Sequence, residues 1–201
     1  MTKEKQPTYV VTPELVRFSY VHLDEPYAIG AGQEPKYSVM ILIPKTSKKT
    51  LAEIKRGQEE AYKAKKQIFG KTPFEAVNTT LRDGDLEHPD LEEYQGMYFM
   101  GVSNKYKPEV VGTLRDEAGN PKPLDPTDPE EIYSGMWGRV GMSFFAYDST
   151  MKKGISASLA TVQKVRDGER LGGFHADAAA DFAEFEDDSA DDLLANDPAM
   201  M

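Results

Sequence analysis

The stretch "MWGRVGMSFFAYDSTMKKGISASLATVQKV", residues 136–165, constrains the fold of this chain more than any other. It holds two runs of strand-forming residues with the polar turn "DSTMKKG" between them. A side-chain period of two belongs to strands, and two such runs joined by a short turn make a hairpin. Along 136–147 one face carries Met136, Gly138, Val140, Met142, Phe144 and Ala146, apolar or small throughout and suited to a core. The other carries Trp137, Arg139, Gly141, Ser143, Phe145 and Tyr147. Three aromatic rings on one strand face are costly if they merely meet water. Against nucleobases they are productive. Every base has a π-face, each base–aromatic stack is worth ~1–3 kcal/mol, and a guanidinium adds a cation–π or phosphate contact. The competing reading packs Trp137, Phe145 and Tyr147 beneath a helix or a long loop.

The rest of the chain is arranged around that hairpin. "ELVRFSYVHL" (14–23) and "KYSVMILIPK" (36–45) read as strands, with "DEPYAIGAGQEP" (24–35) as the loop between them. Pro44 ends the second strand. Over 46–70 the period changes. Leu51, Ile54, Gln58, Ala61, Tyr62, Lys65 and Phe69 follow helical spacing, and Gly70 is placed to cap the helix. Residues 71–95 are irregular and acidic, 96–103 are a strand, and "NKYKPEVVG" turns into a short one. "DEAGNPKPLDPTDPEE" (116–131) is a proline-rich exposed loop. Short strands with one inserted helix predict a mainly β fold: an OB-like, five-stranded antiparallel barrel with an inserted α-helix and long loops. The expected organisation is a flexible N-terminus over 1–8, the binding domain over 9–173 and a disordered acidic tail over 174–201.

Charge is distributed unevenly. The 201 residues hold 34 Asp and Glu against 24 Lys and Arg, a formal net charge of −10. Nine of the acids lie from Asp177 onward, where there is no Lys or Arg, so 25 acids and 24 bases remain in residues 1–176. The body is nearly neutral and has room for a cationic groove. Candidate cations lie beside aromatic residues. Lys105, Tyr106 and Lys107 alternate in one loop, Lys36 precedes Tyr37, and Lys152 and Lys153 sit at the hairpin tip. Together they supply the interleaving that a single nucleic-acid strand requires.

Other chemistry has little support. There is no cysteine, which excludes disulfides, thiolate metal sites and cysteine nucleophiles. "RDGDLEHPDLEE" gathers Asp83, Asp85, Glu87, Asp90, Glu92 and Glu93 around His88. It departs from a calcium loop, with His88 in place of the required glycine and Tyr94 in place of the last glutamate. An acidic surface turn is the better reading, with a metal-dependent nuclease as the alternative. The three histidines, His22, His88 and His175, match no ligand spacing, and no nucleotide-binding glycine loop occurs. No metal and no cofactor are expected. No apolar run approaches the ~20 residues of a membrane span, and "MTKEKQPT" lacks the apolar stretch of a signal peptide. The expected location is therefore the cytoplasm, that of a host cell if a phage encodes the chain.

The segments "FSYVHLDEPYA", "PKYSVMILIPK", "LRDGD", "GMYFMGVSNKYKPEVV" and "YSGMWGRVGMSFFAYDSTMKKGISASLATVQKVRDGERLGG", followed by an acidic end, are familiar as a set. In that order they resemble a family of phage single-stranded DNA-binding proteins, once catalogued as a domain of unknown function and later placed among OB folds. A looser likeness links "LIPK" before the helix, "GISASLATV" and the acidic tail to the single-stranded DNA-binding proteins of podophages. The resemblance implies an OB fold, non-specific binding of single-stranded DNA, and a role in phage replication, recombination or repair. It carries over the barrel face as the general site. Alternation places Trp137, Arg139, Phe145 and Tyr147 there.

Three hypotheses follow: a single-stranded DNA-binding protein that is no enzyme, a nuclease using the 83–93 carboxylates, and a structural or protein-binding phage module. The tail gains meaning under the first. Asp187, Asp188, Asp191 and Asp192 would compete with DNA for the cationic groove. Once released, Phe182, Phe185, Leu193 and Leu194 would be offered to replication or recombination proteins. Tails of this kind often end in an aromatic residue, whereas this chain ends in Met200 and Met201. The residues leave room for an oligomer.

Overall fold

The computed structural model describes residues 6–28 and 30–172. The chain divides into two units, Met1–Leu171 and Gly172–Met201. The tail residues Phe182, Phe185, Asp187, Asp188, Asp191, Asp192, Leu193 and Leu194 lie outside the described residues.

In chain order the strands and helices are β1 (Tyr9–Val11), β2 (Val16–Tyr27), β3 (Lys36–Pro44), α1 (Lys48–Ala64), α2 (Lys66–Phe69), β4 (Arg82–Asp83), α3 (Gly84–Glu87), β5 (Met97–Asn104), β6 (Glu109–Arg115), β7 (Pro121–Pro123), β8 (Trp137–Asp148) and β9 (Lys153–Arg166). The fold is mainly β. The expected hairpin is its spine: β8 and β9 pair antiparallel from Asp148↔Lys153 to Trp137↔Arg166. β1 and β2 add to β8, β3 adds to β2, and β5 adds to β3. β5 reaches β9 at Ser103↔Ser158, so the ladders return to the hairpin from which they started.

Four expectations are corrected. The strands are not antiparallel throughout, because β5 and β6 each run parallel to β9. The long connection over 116–136 and the passage through β8 bring β9 back in their direction. β2 does not stop at residue 23 but runs to Tyr27, where it pairs with Lys36. The helix is interrupted at Lys65, whose φ of −130° is not helical, before a last turn that ends at Gly70 with φ 59°. The 116–131 loop contains β7, which pairs with β6.

Alternation decides what is buried. Val140, Met142 and Phe144 of β8 meet Ile155, Leu159 and Val162 of β9 in one core with Phe18, Val39, Ile41 and Ile43. α1 closes this core with Ile54 and Ala61. A smaller cluster of Leu42, Tyr94 and Phe99 lies apart from it, and Leu42 alternates with Ile41 and Ile43 along β3. Pro7 and Thr8 are tied down: the Pro7 carbonyl accepts from Arg56 at 2.7 Å, and the Thr8 carbonyl accepts from the Phe144 amide at 3.1 Å. No helix among the described residues is long and apolar enough to cross a membrane.

Gly57 sets how closely α1 approaches the strands. A Cβ there would fall 2.5 Å from Phe144 Cδ2 and 2.8 Å from Val10 Cγ2. Alanine favours a helix over glycine by about 1 kcal/mol, but overpacking a core costs about 1–3 kcal/mol. Phe144 and Val10 are themselves fully packed, so the clash wins. Gly57→Ala is therefore expected to lower the free energy of unfolding in urea titrations, although it improves helix propensity. A stabilised variant would show that the helix seat is looser than described.

Candidate nucleic-acid interface

The face of the strands turned away from the main core is the candidate site. On β3, Lys36, Ser38 and Met40 alternate with the core residues Val39 and Ile41. On β5, Gly101 and Ser103 face the same way, opposite Met40 and Ser38 in the register. β2 contributes Tyr20, His22 and Tyr27, and β8 and β9 contribute Phe145, Ser156 and Ser158. Three adjoining cavities run along this face. One, of about 560 Å³, is lined by Tyr20, His22, Tyr27, Ser38, Met40 and Gly101 among others. The next, of about 320 Å³, shares Tyr27, Ser38 and Ser103 with it and adds Glu34 and Lys36. The third, of about 280 Å³, shares Glu34, Lys36 and Ser103 with the second and adds Lys105, Phe145 and Ser158. They form one trough across β2, β3, β5, β9 and β8. With strands ~4.8 Å apart, its length is about 19 Å.

The first cavity has an unusual wall. β2 carries an extra residue relative to β3 between Ser19↔Met40 and His22↔Ser38. This bulge holds Tyr20 at φ 47°, the one positive φ among the described non-glycine residues. Bulges re-aim side chains, and Tyr20 is 62 % exposed. His22 and Tyr27 stack on each other, with ring centroids 4.4 Å apart and planes within 9°.

The residues singled out in the sequence are dispersed. Phe145, 45 % exposed, meets Lys36 and Lys105 in the third cavity. Lys105 also lies over the exposed Tyr106 ring at 5.0 Å. Lys107 stands near Asp125, whose carboxyl is held low mainly by Thr127 hydrogen bonds and also by that lysine's charge. Arg139 donates from Nε to the Thr12 carbonyl at 2.7 Å and lines a separate cavity of about 480 Å³ with Arg115, Thr161 and Gln163. Trp137 is half-buried, with the Arg166 guanidinium 5.0 Å from its ring and the Gly168 backbone against its edge. Tyr147 lies over Gly154. Tyr37 alternates with Lys36, on the strand face of Val39 and Ile41. Lys153 pairs with Asp148 at 3.3 Å and donates to the Ile68 carbonyl at 3.1 Å, which binds the hairpin tip to α2. Lys152 hydrogen-bonds through its backbone to Ser149 in the turn.

Sequence reasoning missed Tyr20, His22, Tyr27, Met40 and Gly101. The bulge breaks the alternation of β2, and the prolines and glycines of 24–35 read as a loop although 24–27 continue the strand. Applying strand alternation to 36–45 would have placed Lys36, Ser38 and Met40 on one face.

The acidic segment serves the fold. Lys45 Nζ lies 2.6 Å from Asp83 and 2.7 Å from Asp85. Asp85 also accepts from the Gly96 amide at 2.7 Å, and Asp83 caps α3. Among the described residues no three His, Asp or Glu side chains come together as metal ligands.

The trough gathers exposed aromatic rings and cations on one face. The chain belongs to the family described by the ssDNA-binding protein of Enterobacter phage Enc34, whose model matches residues 8–194. This is a family of binding proteins, not enzymes. The structure of the single-stranded DNA-binding protein from bacteriophage Enc34 in complex with ssDNA is similar, with 28 % identity and a TM-score of 0.68 over 85 % of this chain and 97 % of that one. The fold also matches gp2.5, a single-stranded DNA-binding protein encoded by bacteriophage T7, with a TM-score of 0.54 and 18 % identity over 90 % of this chain and 96 % of that one. Protein p50 of Acyrthosiphon pisum secondary endosymbiont phage 1 is 30 % identical over 187 residues, which is 90 % of this chain and 96 % of that protein.

The Lys45 clip has a pH signature. The Lys45 hydrogen bond, with help from Gly96, lowers the Asp85 pKa, and the two carboxylates raise that of Lys45. The contribution of Asp85 is thus present above the ordinary carboxylate range and lost as pH falls through its lowered value. Asp85→Asn is expected to lower Tm at pH 7, with the gap to the parent closing as the pH drops below about 4. A gap that does not change with pH would remove the ion pair from this role.

Proposed function

We propose that this chain is a non-enzymatic single-stranded DNA-binding protein of a phage, acting on exposed strands in the host cytoplasm during DNA replication. Its strands β2, β3, β5, β8 and β9 serve as the five-stranded OB barrel expected from the sequence, with α1 inserted between β3 and β5. The trough is the binding surface. The observation that carries this reading is the placement of Tyr27, Lys36, Lys105 and Phe145 on one face, in cavities that share residues.

The chemistry follows from those groups. A flexible single strand offers unpaired base faces and one phosphate per nucleotide. Phe145 and Tyr27 offer stacking surfaces that any base satisfies. Among the described residues Lys36 and Lys105 are exposed cations in no ion pair, and neutralising phosphates releases counterions. Serines 38, 103, 156 and 158 border the trough without a charge that would select a base. Several nucleotides fit along it, with little sequence preference. The acidic tail, with nine acids and no base from Asp177 onward, competes for the same cations when DNA is absent.

Two outcomes are expected in fluorescence titrations. Oligothymidylate binds and duplex of equal length binds far more weakly, while Phe145→Ala lowers affinity for the single strand about 10-fold. Lys36→Ala with Lys105→Ala reduces the slope of log affinity against log salt by about 1.4, the value for two single-strand phosphate contacts. Equal binding of single strand and duplex, or an unchanged slope, contradicts the assignment. A chain ending at Gly173 should bind oligothymidylate more tightly than the full chain. Equal affinity would leave the tail no part in competition.

A further inference from the structure

We propose that the 560 Å³ cavity beside Tyr20 is a pocket for one unpaired nucleobase, and that it is the element by which the trough rejects duplex. This rests on the single-strand reading above.

Four features of the cavity point to a base. Its lining includes no Lys, Arg, Asp or Glu, so neither a phosphate nor an acidic peptide finds an ionic partner in it. The adjoining cavity holds Lys36 and Glu34, and the third holds Lys36 and Lys105. A strand threaded along the trough therefore keeps its phosphates at the lysines and turns a base toward the neutral end. The floor is open because Gly101 carries no side chain. A Cβ there would meet only Met40 Cε, at 3.8 Å. A glycine inside a strand gives up packing and backbone entropy, and where the space above it is open it suits close approach by a ligand.

The walls are aromatic and pre-arranged. His22 and Tyr27 are already stacked at 4.4 Å, a two-ring block that a base extends by one more plane. Tyr27, 52 % exposed, lines both this cavity and the next, so the strand passes its edge between them. Tyr20 stands 62 % exposed in a left-handed conformation that tyrosine adopts at a cost. So exposed a ring gains little from packing in return. Holding a ring over the pocket accounts for it.

A paired base cannot enter, because both of its faces are stacked within the duplex and its edge is bonded to its partner. Only an unpaired strand can supply an occupant, and the Ser38 and Ser103 hydroxyls at the rim can donate to or accept from any base edge.

The test uses the full chain, oligothymidylate, and an equally long strand of abasic sugar-phosphate. Gly101→Leu fills the pocket at a position where added atoms meet open space. It is expected to keep the parental Tm and to lower oligothymidylate affinity about 5- to 100-fold. The salt slope should stay unchanged and the abasic strand should be bound as by the parent. Tyr20→Gly relieves the strained backbone, so it should match or exceed the parental Tm while also binding oligothymidylate more weakly. Oligothymidylate binding unaffected by Gly101→Leu overturns the pocket and leaves the trough reading standing. An equal loss on the abasic strand overturns it too. Tighter binding by Gly101→Leu would assign the pocket to a segment of the chain itself and overturn it. A parent that binds neither strand overturns both readings.

Discussion

The β8–β9 ladder is the constraint on which the rest of this structure depends. Both neighbours on one side, β1 and β2, pair with β8, and both on the other, β5 and β6, pair with β9. Because side chains alternate along the regular stretch of β8 from Met142 to Asp148, the ladder separates two jobs residue by residue there. Phe144 goes into the core and Phe145 into the trough. A slip of one residue would exchange them. Two glycines permit the close contacts this ladder needs: Gly138 lies against the Gln163 backbone, and Gly141 lies beneath Tyr9 and Thr161. The core and the trough are thus one pattern viewed from its two sides.

As the proposed binding surface, the trough accounts for how a chain of net charge −10 would meet an anionic polymer. Affinity depends on local fields and on stacking, and the whole-chain charge is a poor guide to either. Much of the positive charge of α1 is internally paired, with Lys55 to Glu59, Arg56 to Glu53 and Lys63 to Glu60. Lys36 and Lys105 share one cavity with Phe145 and Glu34, so its lining is not uniformly basic. Neutral aromatic walls at one end and cations at the other match the two halves of a nucleotide.

The hairpin, the strand at 36–44 and the inserted helix were legible in the sequence because each rests on local periodicity. The parallel pairing of β5 and β6 with β9 was not, since strand direction is set by connections of tens of residues. Of the proposed contacts, Lys36, Lys105 and Phe145 were each singled out within their own segments, but the pairing of β3, β5, β9 and β8 is what brings them to one cavity. Lys153 is spent on Asp148 and Ile68, and Trp137 lies partly under Arg166 and Gly168. Ile68 is distant in sequence and Gly168 lies beyond the hairpin, so no periodicity announces them, whereas Asp148 and Arg166 are cross-strand partners within it. Tyr20, His22 and Tyr27 escaped for a different reason. A bulge adds one residue to β2, and a single extra residue inverts every facing assignment beyond it.

Photocrosslinking is the most direct measurement of the central claim. Oligodeoxynucleotides carrying iodouracil in place of thymine react with aromatic rings that stack on them, and mass spectrometry then locates the bond. Adducts on Tyr27 and Phe145, with Tyr20 or Tyr106 beside them, are the result expected if the strand lies in the trough. Adducts confined to Tyr62 and Phe74, which pack together beside the basic helix, with none on Tyr27 or Phe145, would contradict it.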